Sequence, residues 1–202
     1  MSNPDQRFGL KPVGHLLGLD WSAGVRRCFM TGASGATYIG DPVDFAGSAD
    51  ASGAYPTIAP VANGATYPIM GVVVGFEPDP TDLTLLYRKN STDRYAMVSM
   101  DPYVIYEIQG STDAVLANTI VGANGVLIFT HGGSTATGLS GAELSAATTP
   151  AADPTYQLLI LGAATDPLND IASVNARWLV MLSLSRFNFV YSSGANAGLK
   201  GV

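Results

Sequence analysis

The sequence predicts an all-β protein: a β-barrel or a jelly-roll-like sandwich with an extended N-terminal arm. Three observations lead there. From residue 67 onward, short apolar runs rich in Val, Ile, Leu and Tyr recur at strand length. Asp-Pro pairs punctuate the chain at 41–42, 79–80, 101–102, 153–154 and 166–167; Asp closes an Asx turn and Pro pre-sets φ, so each pair marks a turn. Stretches such as "VDFAGSADASGAYP" show no helical repeat. Short strands between regular turn signals are the pattern of a barrel or sandwich.

Taken in order, residues 1–20 read as the arm. Pro4, Gly9, Pro12, Gly14 and Gly18 leave no room for a regular element. Phe8, Leu10, Val13, Leu16 and Leu17 are nevertheless apolar, so the segment is expected to lie along a surface, its own or a neighbour's. Residues 21–66 read as a strand pair, Arg26–Met30 and Ala36–Ile39, followed by a Gly/Ala/Ser-rich excursion over 44–67. Residues 67–190 read as the β core. "YPIMGVVVGFEP" is a buried strand ending at Pro-Asp-Pro. "LTLLYRK" and "RYAMVSM" read as a hairpin around Asn90–Asp93. "YVIYEIQG" alternates, with Val104, Tyr106 and Ile108 on one face and Ile105 and Glu107 on the other. "GVLIFTHGG", "TYQLLILGAA" and "NARWLVMLSLSRFNF" supply further strands. Ser140 and Glu143 stand at capping-box spacing and predict one short helical turn. Residues 191–202 read as a flexible or partner-bound tail.

Composition narrows the function. Charged residues make up 13% of the chain, against about a quarter in ordinary soluble proteins, so much of the surface is expected to be covered by other chains. A net charge of −6 argues against nucleic acid, which requires clustered Lys and Arg. The single Cys28 excludes an internal disulfide and a Cys-based zinc site. The N-terminus has no apolar signal-peptide core, and no apolar run reaches membrane-span length. These features predict a soluble protein of a reducing compartment, with no membrane partner.

No enzyme constellation emerges, and no cofactor is expected. "TGASGATYIG" (31–40) approaches a dinucleotide loop, but Tyr38 occupies the third glycine position and Asp41-Pro42 follows where a helix should begin. His15 and His131 share no element and lack a ligand cluster, so no metal site is expected. Ser140 in "GLSGA" misses the nucleophile-elbow spacing. Asp101 lies in a turn and Glu107 on the outward strand face, which argues against a glycosidase pair.

The opening "NPDQRFGLKPVGHLLG" resembles the start of a family of small capsid decoration (cement) proteins of tailed bacteriophages, through Phe8, Gly9, Leu10, Pro12, Val13, His15, Leu16 and Gly18. The likeness continues, in the family's order, through "YIGDPV", "GVVVGFE", "DPYVIYEIQG", "NTIVGAN", "TGLSGAEL" and "LLILGAATDPLNDI". The resemblance implies a non-enzymatic protein, assembled in the host bacterial cytoplasm, that binds the exterior of the virion's icosahedral shell. Its partners would be the major capsid protein and itself, as a homo-oligomer, with a trimer preferred over a dimer. The expected capsid-facing residues are Phe8, Leu10, Pro12, Val13, Leu16 and Leu17. Phe8 would be the anchor of an arm that clamps a neighbouring chain by strand addition and stays mobile in the free protein. Alternatives are a carbohydrate- or receptor-binding β-module of a phage fibre, disfavoured by scattered aromatics, and an esterase-like or glycosidase-like enzyme.

Overall fold

A computed structural model describes residues 2–64, 66–129 and 131–187. Strands account for 38% of the chain and helix for 4%, so the protein is nearly all β. The described residues form twelve strands: β1 (Lys11–His15), β2 (Val25–Met30), β3 (Pro42–Ala49), β4 (Pro56–Pro60), β5 (Gly71–Phe76), β6 (Arg94–Ser99), β7 (Val104–Gln109), β8 (Asn124–Gly125), β9 (Leu127–Ile128), β10 (Glu143–Leu144), β11 (Leu158–Ala163) and β12 (Arg177–Leu182). Two short 3-10 turns, Trp21–Gly24 and Asn118–Ile120, interrupt them. Among the described residues, no helix is long and apolar enough to cross a membrane.

Ten of these strands form two units, and β9 and β10 pair as a short ladder of their own. β2, β4, β3, β5 and β6 close into a barrel, and β1, β7, β12, β11 and β8 form a sheet, in those spatial orders. The expected separation of 21–66 from the β core does not hold. Those residues supply three of the five barrel strands, β2, β3 and β4. The "excursion" is a strand pair whose small side chains carry no apolar signal, yet whose backbone pairs Val43 with Pro60 and Phe45 with Ile58. Of the expected pair in 21–39, β2 forms, but 36–39 contributes only isolated bridges at Thr37 and Ile39.

The loop over 77–93 also departs from expectation. "LTLLYRK" is not a strand; buried arginines organise it instead. Arg94 donates to the carbonyls of Glu77, Tyr87 and Leu85 at 2.8, 2.6 and 3.2 Å. Arg88, fully buried, donates to Thr92, Ser34 and Gly35 at 2.8, 3.1 and 2.5 Å, and to Thr31. The Thr31–Gly35 turn therefore aims its carbonyls inward at a guanidinium. A phosphate loop aims N–H groups instead. The capping-box reading at Ser140 fails as well: Ser140 Oγ accepts the Ala142 N–H at 3.0 Å and Glu143 begins β10.

Four of the Asp-Pro pairs are Asx turns. Asp79, Asp101, Asp153 and Asp166 each accept, on Oδ1, the N–H two residues ahead at 2.8–2.9 Å. Asp41 reverses the pattern and accepts the N–H of Tyr38, three residues behind, at 2.8 Å.

Two cores meet at β5. Val73 packs in the barrel with Cys28, Met30, Ile58 and Val98, while its neighbour Val72 faces the sheet core of Tyr106, Ile108, Leu127, Leu158 and Trp178. Period-two alternation on a strand buried on both faces joins the units. The Tyr106 hydroxyl donates to Ser99 Oγ across the same boundary at 3.2 Å.

The N-terminal segment crosses this junction. Gly9 (φ 70°) and Gly40 (φ 94°) pass so closely that a Cβ on Gly9 would lie 2.5 Å from Ser140 Cβ, and one on Gly40 would lie 2.5 Å from the Phe8 carbonyl. Only glycine fits both the left-handed backbone and the approach. Leu10 N–H donates to Gly40 O, Gly40 N–H to Val73 O and Val73 N–H to Asp41 O, at 3.0, 2.7 and 2.9 Å. Blocks that stand apart in the sequence, around Gly9, Gly40, Val73 and Ser140, therefore meet at one point. The tail 191–202 and the end of the expected core at 190 lie outside the described residues.

Candidate functional site

Residues 2–20 are not a free arm. Residues 11–15 form β1, antiparallel to β7, with Lys11 opposite Glu107 and His15 opposite Val104. Upstream, the Asn3 side chain donates to the carbonyls of Asp170 and Val174 at 2.8 and 3.0 Å and accepts the Asp170 N–H at 2.8 Å. Gln6 N–H donates to Gln109 Oε1, and Gln109 Nε2 donates to Asp5, at 2.8 and 2.9 Å. Pro and Gly signals had excluded regular structure here, but the β7 edge supplies the ladder partners that the local sequence does not advertise.

This placement divides the expected interface residues. Leu10 is fully buried in the chain's own core, so it cannot face a partner. Phe8 and Pro12 are half-buried, and Phe8 lines a cleft together with Leu168. Val13, Leu16 and Leu17 are exposed, at 42, 53 and 63%. Leu19 and Tyr103, exposed at 62 and 41%, were missed. Tyr103 belongs with them because its carbonyl accepts the Leu16 N–H at 2.9 Å.

A rigid mount holds this apolar corner. His15, itself buried, accepts the Leu17 N–H on Nδ1 at 3.1 Å. A neutral ring accepting at Nδ1 carries its proton on Nε2, and Nε2 lies 3.0 Å from Asp101 Oδ2. Asp101 Oδ1 in turn accepts the Tyr103 N–H at 2.9 Å. The turn closes through Gly18 N–H to His15 O at 3.0 Å, with Gly18 at φ 71°. The free edge of β1 carries Pro12, which has no N–H, and a register break between Pro12 and Gly14. Both features block strand addition. The corner therefore presents side chains rather than a backbone ladder.

The remaining polar candidates sit in separate networks. His131 Nδ1 lies 3.2 Å from Glu143 Oε2, which also lies 3.4 Å from Arg7 Nε. Asp101 belongs to His15, whereas Glu107, nearly buried rather than solvated, lies 3.1 Å from Arg177 Nη1. Ser140 is buried beside Asp41. Burial pushes the Asp41 carboxyl up to about 6, against hydrogen bonds from Ser140 and the Tyr38 N–H that pull it down. Burial likewise pushes the Cys28 thiol up to about 11. Among the described residues, no group of three or more His, Cys, Asp and Glu side chains could hold a metal ion.

At the other end of the β1–β7 pair, where Lys11 stands opposite Glu107, a cleft of about 400 Å³ opens between the N-terminal segment, the 164–176 loop and the start of β12. No protein-family model, curated protein or solved structure matches the chain.

Proposed function

We propose that this chain is a structural, non-enzymatic protein of a tailed-phage head that binds the outside of the assembled icosahedral shell and stabilises it. The observation that carries the reading is the exposed set of Val13, Leu16, Leu17, Leu19 and Tyr103, tied together at Leu17 and Tyr103 by hydrogen bonds to His15 and Asp101. Large apolar side chains grouped in water mark an interaction surface. Each contributes about 1.5–3 kcal/mol when fully buried, with little ordering cost because the mount is pre-formed. The scarcity of charge and the resemblance of an ordered series of short blocks to the decoration-protein family support the same reading. Its partners would be the major capsid protein and further copies of itself, with a trimer suited to the threefold positions of a shell. Repetition over the shell multiplies weak contacts through avidity.

This mode differs from the mobile clamp expected from sequence, and so does its test. Deleting residues 2–18 would remove β1 and Leu10, so loss of binding would report unfolding. Undecorated heads of a phage carrying this gene should instead be incubated with wild type, with a Leu16→Asp/Leu17→Asp double variant and with Phe8→Ala. Wild type should saturate in a fixed ratio to the major capsid protein. The double variant should lose about 2–4 kcal/mol per site at unchanged thermal midpoint, and Phe8→Ala should lose less. No saturable binding by wild type, or equal binding by the double variant, overturns the reading. Sedimentation that shows only monomer, both free and released from heads, removes the trimer.

A further inference from the structure

The cleft beside the N-terminal segment has the chemistry of a small-ligand site. It is lined by four charged side chains, Lys11 and Arg177 against Glu107 and Asp166, so its net charge is zero. Arg177 spans the two carboxylates, with Nη1 3.1 Å from Glu107 and Nη2 2.6 Å from Asp166. These contacts hold the planar groups in fixed orientation. Capacity is left over. Lys11 Nζ stands 4.0 Å from Glu107 Oε2, beyond hydrogen-bond reach, so an acceptor and an ammonium lie side by side. Asn175 Oδ1 has only a long contact, 3.4 Å, from Gln109 Nε2.

The walls are pre-organised. Asn169 accepts the Arg177 N–H and donates to the carbonyls of Ala164 and Arg177, all at 2.8–3.0 Å. Asn3 ties the same loop to the N-terminal segment through Asp170 and Val174. Asn175 adopts φ 60°, a conformation that non-glycine residues seldom take and that clusters at binding sites. Phe8 and Leu168 add apolar surface. The volume, about 400 Å³, lies at the small end of ligand clefts.

We infer that this cleft binds a neutral sugar ring. Sugar hydroxyls donate and accept at once. A vicinal pair can give a hydrogen to Glu107 Oε2 while accepting from Lys11 Nζ, and Phe8 and Leu168 supply apolar surface for the apolar side of the pyranose. Phosphorylated and acidic ligands are disfavoured, because both cations are already balanced by carboxylates. The inference does not depend on what covers the apolar corner around Leu16.

The test is a ¹⁵N NMR titration of the full chain with the methyl α-pyranosides of glucose, galactose and mannose and with N-acetylglucosamine. N-acetylneuraminic acid serves as the charged comparison. At least one neutral sugar should give saturable shifts centred on Phe8, Gln109 and Asn175. Asn175→Gly should weaken it at least tenfold while leaving the thermal midpoint within about 3 °C, since glycine adopts positive φ freely. Glu107→Gln should weaken it comparably. The inference is overturned if none of the four neutral sugars shifts these residues, if Asn175→Gly binds as wild type, or if the acidic sugar binds as tightly as the neutral ones.

Discussion

Asp41 stands where the barrel, the sheet and the N-terminal segment meet, and it is nearly inaccessible to water. Burial raises its carboxyl from 3.8 to about 6, while Ser140 and the Tyr38 N–H only partly offset the lost hydration. That difference corresponds to about 3 kcal/mol. The folded protein holds this proton more tightly than the unfolded chain does. The associated stability is therefore fully present below about pH 4 and is lost as the pH rises through about 6. Asp41→Asn never ionises, yet keeps a side-chain oxygen to accept the Tyr38 N–H. Its stability relative to wild type should rise by about 3 kcal/mol between pH 4 and pH 7 and then level off. Urea unfolding of both proteins in parallel reads this difference, and titrating groups common to both cancel. A difference that stays constant across that range, or that shrinks as the pH rises, would refute the assignment of a strained buried carboxylate at the junction.

Two further outcomes test the placement of buried groups. Leu10→Ala should cost about 2–5 kcal/mol in chemical denaturation, whereas Leu17→Ala should change stability by no more than about 0.5 kcal/mol; equal effects would mean that Leu10 is not in the core. Arg88→Met should cost about 1–3 kcal/mol, because it removes the donor from the partly buried carbonyls of the Thr31–Gly35 turn, and should speed hydrogen exchange in that turn; unchanged exchange there would show that the guanidinium does not hold it.

The parts of this fold that were legible in the sequence are those whose cause is local. β5, β6, β7, β11 and β12 are apolar or alternating runs that can be recognised without knowing their partners. The Asp-Pro turns at 79, 101, 153 and 166 close through a side chain two residues away. Their identity follows from turn chemistry alone. The exposed leucines were legible as apolar residues in a broken segment, and three of the six expected interface residues, Val13, Leu16 and Leu17, are exposed.

What the tertiary structure decided depends on partners far away in the chain. β1, β3 and β4 are rich in Gly, Pro, Ala or Ser and have little intrinsic strand preference; they are strands because β7 and the barrel ladder offer paired backbone groups. "LTLLYRK" has the right composition for a strand, but the Arg94 side chain takes the Leu85 and Tyr87 carbonyls that a ladder would have used. Leu10 and Leu17 are the same residue type a turn apart, and only the crossing of Gly9 over Gly40 buries one and leaves the other in water. The cleft is built in the same way, with Asn3 bonded to Asp170 across 167 positions and Arg177 to Glu107 across 70. Propensity and turn chemistry act over a few residues, whereas burial and side-chain pairing are set by which surfaces the closed chain brings into contact.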